Sequence, residues 1–385
     1  MLQSSQENRT CKLQNYNKQR PIMDKESTTN IFFNILRCAL GSEYTLPNEI
    51  GADVWHEIFE TAKKQTLVGV MFNAFEKLHE KQRPPKNILM QWIVICEHIK
   101  NENKKLNDIV VKVSDKFRKE GFENVVLKGQ GVAVLYPQPL LRVSGDIDIW
   151  LDGDKRSIIK YVRQFFPDCK PVYHHVDFPI IKEAAIEIHF TPTWMNNYFS
   201  NRKLQRFFKE HSKKEYKNFT HFGNSDKKAP CSTLAFNRVY ILVHIYRHLF
   251  SEGIGLRQLL DYYYVLKQGF TDAEKQETLN TLKELGMMRF AGATMYVLHK
   301  AFGLEERFML TKPRIEDGDF LLQEIMLAGN FGHYDERIKH EEDNIFAKRV
   351  CSRMLRNMRF IRMYPSEVIW APIFKTWHFF WRKFI

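Results

Sequence analysis

The chain has 385 residues, 44% hydrophobic and 27% charged. This excludes collagen-like, mucin-like and wholly disordered chains, and leaves room for two or three domains at roughly 150 residues each. The net charge of +13 is local: residues 197–230 hold nine basic against three acidic side chains, residues 346–385 hold nine against one, and the rest is close to neutral. Such segments attract phosphates, nucleic acid or anionic lipid when they are not simply solvated faces.

Residues 1–28 are polar and aperiodic, and are expected to be a disordered tail. Residues 29–110 carry apolar side chains at helical spacing (Ile31, Phe32, Ile35 and Leu36; Val68, Met71, Phe72 and Phe75; Ile88, Trp92, Ile95 and Ile99) and predict an N-terminal helical region. From 111 to 195 the pattern becomes helix–strand–helix–strand–helix–strand–strand. Val125 and Val126 run into Lys128-Gly129, a short helix fills 130–136, and Asp146–Leu151 alternates polar and apolar as a strand does. Asp154 is placed to cap the next helix, and two strands follow near 172–180 and 184–190. Residues 196–230 read as a basic polar insertion. Residues 231–385 read as a C-terminal helical domain ending in a basic aromatic tail.

No apolar run is long enough to cross a bilayer and the N-terminus lacks a secretory apolar core, so a cytoplasmic protein is expected. The six cysteines (Cys11, Cys38, Cys96, Cys169, Cys231 and Cys351) show no zinc spacing and predict free thiols.

Chemistry concentrates at Asp146-Ile147-Asp148. Residues two apart on a strand share a face, so both carboxylates project together, and adjacent anions ask for a cation between them. Two other Asp-x-Asp strings, Asp152/Asp154 and Asp317/Asp319, have Gly in the middle and read as turns or caps. Glu187, between Ile186 and Ile188, either faces solvent or joins the Asp pair across a sheet. In the second case three carboxylates hold two hard divalent ions, Mg²⁺ or Mn²⁺. The strand running into Lys128-Gly129 suits a phosphate turn, with Lys128 as a point charge. His174, His175 and His189 can face the same cleft, with His175 and His189 orienting carboxylates. His244, Arg247 and His248 fall within one helical turn and can line it from the helical side.

The stretch VVLKGQGVAVLYPQPLLRVSGDIDIWL, followed by a helix and then by YHHVDFP and IEIHF, resembles the nucleotidyltransferase superfamily built on the DNA polymerase beta-like catalytic core. More narrowly it is similar to a large bacterial nucleotidyltransferase family with Lys-Gly after a strand, Leu-Tyr-Pro and an Arg before Asp-Ile-Asp, and a Glu-x-His strand. The resemblance covers about residues 55–270 and is most specific over 125–190. It implies an α+β fold, with a small mixed-sheet core between helical regions. It implies Asp146, Asp148 and Glu187 as metal ligands and catalytic carboxylates, and Lys128, Gly129 and Arg142 as nucleotide contacts. It also implies a nucleoside triphosphate as partner, with a small molecule, an RNA or a protein as acceptor. Gln130 stands where the superfamily has a phosphate-bonding Ser, and the interval from Gly129 to Asp146 is long. This keeps open an alternative, a catalytically inactive nucleotide- or RNA-binding protein on the same fold. The tail residues Trp370, Trp377, Phe379, Phe380 and Trp381 are read first as a helix packed on the domain, and otherwise as an anionic-membrane contact or a stacking surface for nucleic acid.

Overall fold

A computed structural model describes residues 25–222, 227–335, 337 and 354–383. Four helices come first: α1 (Lys25–Leu40), α2 (Ala52–Lys64), α3 (Val68–Met71) and α4 (Lys86–Lys119). Residues 25–28 of the expected tail open α1, and the rest of that tail lies outside the described residues. The core elements follow: β1 (Asn124–Val126), α5 (Lys128–Ala133), β2 (Ile147–Leu151), α6 (Lys155–Phe165), β3 (His175–Asp177) and β4 (Ile186–His189). After them come α7 (Tyr198–Glu215), the hairpin β5 (Phe219–His221) and β6 (Lys228–Pro230), then α8 (Leu234–Ser251), α9 (Leu256–Lys267), α10 (Asp272–Glu284), α11 (Met288–Phe302) and α12 (Ile315–Ala328). The last described helix is α13 (Pro365–Trp381). Cys11 and Cys351 lie outside the described residues, and the described cysteines Cys38, Cys96, Cys169 and Cys231 are free. No helix among the described residues is long and apolar enough to cross a membrane.

The core sheet has the order β1-β2-β4-β3. β1 and β2 are antiparallel, β2 and β4 parallel, and β3 and β4 antiparallel. The parallel pair requires a crossover, supplied by α6 and β3. Alternation gives the sheet two different faces. Ile147, Ile149, Val176, Ile186 and Ile188 join Val110, Val113 and Phe117 of α4 and Ile158 and Val162 of α6 in one apolar cluster. The opposite face carries Trp150, packed on Phe208, Tyr216 and Phe236, together with the polar residues of the site. Asp154 caps α6 as expected, accepting from the backbone N–H groups of Arg156 and Ser157. The other Gly-centred pair is structural too, since Asp317 accepts from Arg289 and Arg314.

Two sequence expectations are revised. The boundary placed at 110/111 falls inside α4, which runs unbroken from the N-terminal helices to the underside of the sheet. The segment 196–230 is not merely polar: α7 buries Leu204 and Phe208 beneath its lysines and arginines, and the hairpin follows. Four-residue spacing supplies the buried stripe, and long basic side chains cover its edges. Close backbone approach also has a sequence signature here. A Cβ on Gly69 of α3 would sit 2.1 Å from the Leu141 carbonyl oxygen, so only Gly lets this helix meet the loop ahead of β2.

α13 is held against the start of α7 by Glu367, which is 3% exposed and accepts from the backbone N–H groups of Asn196 and Asn197. Burial pushes the Glu367 carboxyl up to about 7. The folded protein therefore holds a proton that the unfolded chain releases nearer the ordinary carboxylate value, and this group's contribution to stability declines as pH rises between those values. The melting temperature of Glu367→Gln should accordingly fall less than that of the wild type between pH 5 and 8. Parallel thermal melts of the two proteins across that range check it.

Candidate active site

The parallel register sets the site. Asp148 of β2 lies opposite Glu187 of β4, and on the other side of β4 His175 lies opposite His189. Asp148, Glu187, His189 and His175 consequently share the polar face, while the intervening isoleucines point into the apolar cluster. Asp146, just before β2, stands at the open edge of the same face. With Lys128, His174, Trp194, His244, Arg247 and His248, these residues line a cleft of about 790 Å³ whose outer wall is Phe374, Lys375 and His378 of α13.

The polar contacts are close. His189 Nε2 is 2.9 Å from Asp148 Oδ1 and 3.3 Å from Glu187 Oε2. His175 Nδ1 is 2.9 Å from Glu187 Oε2 and 3.1 Å from His174 Nε2. Lys128 Nζ is 3.2 Å from Asp148 Oδ2, a charge contact outside hydrogen-bond geometry. Burial raises the Asp146 carboxyl, and the negative charges of Asp148 and Glu187 add to the rise. Burial also acts to raise Glu187, but hydrogen bonds from His175 and His189 outweigh it and hold this carboxyl low. Burial acts to lower His189, and its bonds to Asp148 and Glu187 outweigh that and raise it. His174 and His244 are pushed well down, chiefly by burial, and His248 is pushed down to about 4 for the same reason. Arg247 lays its guanidinium 4.4 Å over the Trp194 ring, and Trp194 also packs on His174.

A divalent ion suits this donor set. Asp148 is 1% exposed and its Oδ2 accepts no hydrogen bond, so a carboxylate oxygen buried at the cleft floor has capacity for a cation. Asp146 and Glu187 flank it with further carboxylate oxygens. His174, His175, Glu187 and His189 each offer a ligand atom, all within 4.8 Å of one another.

The structure thus brings Asp146, Asp148, Glu187, Lys128, His175 and His189 together. Gly129 forms the turn beside them with a φ of 50°, and Gly suits that conformation. Arg142 is elsewhere. It is 4% exposed and grips Asp261 of α9 with both prongs, Nε to Oδ1 and Nη2 to Oδ2, each at 2.7 Å, so it is spent on the fold and does not line the cleft. The hydroxyl of Tyr136 also donates to Asp261, and Arg257 donates to the Val143 and Ser144 carbonyls, which fixes the loop that presents Asp146. Gln130 also turns away from the cleft, donating to Asn103 and Asn107 of α4. Trp194 and the inner face of α13 were not foreseen. Trp194 lies in the aperiodic loop after β4, four residues past Phe190, and the tail's charge marked α13 as a surface without showing that its other side lines the cleft.

The family match identifies a nucleotidyltransferase-like protein. The profile of a family described as "uncharacterised nucleotidyltransferase" matches residues 52–303, and the chain belongs to that family, which places it among the transferases. The crystal structure of an antigenic nucleotidyltransferase-like protein from Paracoccidioides brasiliensis is similar over 52% of this chain and 94% of that one, at 12% identity and a TM-score of 0.32. No curated protein matches the chain significantly.

Removing Asp261 would leave the Arg142 guanidinium buried without a counter-charge. Asp261→Ala is expected to cost about 3–5 kcal/mol of stability, and Asp261→Asn, which keeps an acceptor, less. Urea unfolding of both variants measures the difference.

Proposed function

We propose that this protein transfers a nucleoside monophosphate from a nucleoside triphosphate to a hydroxyl acceptor, with release of pyrophosphate, in an Mg²⁺-dependent reaction. The observation that carries the proposal is the register of β2 and β4, which sets Asp148 beside Glu187 with Asp146 at the same edge. Two divalent ions bound by these carboxylates would supply charge neutralisation on the triphosphate and acidify the acceptor hydroxyl. The chain's own groups do the rest. The Lys128–Gly129 turn and Arg247 face the carboxylates across the cleft and take the phosphates. Glu187, opposite Asp148 across the parallel pair, stands where it can hold a cation or receive an acceptor proton. Trp194 and α13 line the cleft opposite the carboxylates and would help shape the acceptor pocket.

The alternative, nucleotide or RNA binding without catalysis, draws on Gln130, which points into α4 and offers nothing to a phosphate. One comparison separates the two readings. Asp146→Asn/Asp148→Asn should lower pyrophosphate release by about 10³-fold or more while leaving the melting temperature close to wild type. Nucleotide binding that is unaffected by the double variant, without pyrophosphate release from the wild type for any acceptor, would support the binding-only reading.

A peripheral contact with an anionic membrane belongs to the same proposal. Ile369, Ile373, Trp377 and Phe380 are exposed along one side of α13. Trp377, Phe380 and Trp381 share a groove of about 1030 Å³ with Lys155, Arg156, Lys160 and Arg163 of α6. An apolar aromatic stripe rimmed by cations matches an anionic interface. The protein is expected to co-sediment with vesicles of phosphatidylcholine mixed with phosphatidylglycerol, and not with phosphatidylcholine alone. Binding should weaken with added salt and in Trp377→Ser/Phe380→Ser.

A further inference from the structure

We propose that His174, His175 and His189 act with Glu187 and Asp148 as a nitrogen-rich metal site, and that the cleft takes Mn²⁺ in preference to Mg²⁺. This rests on the reading of the cleft as a nucleotidyl-transfer site and specifies its ion.

The geometry of the donor atoms carries the argument. Running across the floor of the cleft, His174 Nε2, His175 Nδ1, Glu187 Oε2, His189 Nε2 and Asp148 Oδ1 are successive neighbours at 3.1, 2.9, 3.3 and 2.9 Å. Metal–ligand bonds of roughly 2.0–2.2 Å place neighbouring ligands about 2.9–3.5 Å apart at octahedral or tetrahedral angles. The spacing of all four contacts falls in that interval. Hydrogen bonding accounts for the same cluster less well. Each ring nitrogen carries one hydrogen at most, yet His175 Nδ1 faces both an imidazole nitrogen and a carboxylate oxygen, and His189 Nε2 faces two carboxylate oxygens. A cation among the ligand atoms of His174, His175, Glu187 and His189, which lie within 4.8 Å of one another, would draw on the lone pairs gathered there, with Asp148 beside it.

The rings are also held in place. His175 and His189 are directly cross-strand on β3 and β4, and the His174 carbonyl extends that ladder by accepting from the Phe190 N–H. The His174 ring packs on Trp194 at 4.2 Å between centroids. Ligands fixed by a sheet and a packed aromatic lose little freedom when an ion binds. Three imidazoles beside two carboxylates disfavour Mg²⁺, which demands oxygen ligands and keeps its waters, relative to a first-row ion such as Mn²⁺ that also accepts imidazole nitrogen.

The test uses full-length protein with Mn²⁺ and Mg²⁺ alone. Mn²⁺ binding is read by the loss of the free-ion EPR signal, Mg²⁺ by its competition with Mn²⁺, and the ligands by pulsed EPR of bound Mn²⁺. The expected result is Mn²⁺ affinity at least about tenfold above that for Mg²⁺, with nitrogen-14 modulation from directly bound imidazole. His174→Ala/His175→Ala should weaken Mn²⁺ binding and shrink both the preference and the modulation, with Mg²⁺ binding little changed. Bound Mn²⁺ without nitrogen modulation in the wild type would overturn the proposal whether or not the variant folds, and so would an undiminished preference in a folded double variant. Either result leaves the carboxylate site and the transferase reading standing. Failure of the wild type to bind either ion would remove both.

Discussion

Asp148 and Glu187 stand side by side on a parallel strand pair, and the repulsion between these two carboxylates governs what can surround them. A backbone register cannot relax to separate them, because a shift by one residue would send both isoleucine rows to the wrong face. Positive charge and hydrogen-bond donors must therefore collect at this spot. Lys128, His175 and His189 do so at contact distance, and Arg247 stands further out on the cleft wall. The cluster has the electrostatic form of a cation site, with Arg247 of α8 and Lys375 of α13 on the cleft wall.

That register is useful only if Asp146 is presented with it, and this falls to a second buried arrangement. Asp146 ends a loop with little regular structure, and such loops wander unless tied. Here the ties are polar and buried: Arg142 to Asp261, Tyr136 to Asp261, Arg257 to the Val143 and Ser144 carbonyls, and Asn103 to the Leu140 and Arg142 carbonyls. They connect the loop to α9 on one side and α4 on the other. The edge that carries Asp146 is thus anchored to both helical regions, and a change on α9 bears on the position of that carboxylate.

The core strands and the Asp pair were legible in the sequence because period-two alternation is local: Ile147, Ile149 and Leu151 announce a face, and Asp146 and Asp148 follow from it. Glu187 was legible only as a choice between solvent and site, since the partner of a parallel strand is fixed by tertiary packing. Arg142 shows the limit most clearly. An arginine ahead of an acidic strand has the same sequence appearance whether it meets a phosphate or a buried carboxylate, and its partner lies 119 residues downstream. The helix α7 was hidden for a different reason, because charge density outweighed two buried apolar positions in an aperiodic-looking stretch. The histidines were visible one by one, but their convergence depends on β3 folding back along β4.

α4 has a mechanical consequence. Its 34 residues make a rod about 50 Å long. Near its start Trp92 is wedged among Trp55, Phe59 and Phe75, while its far end carries Val110, Val113 and Phe117 under the sheet. A continuous helix packed at both ends ties the N-terminal region to the core sheet. The opposite rim is built from smaller contacts, where α13 meets the start of α7 through Glu367, through Ser366 on Asn197 and through Trp370 on Phe199.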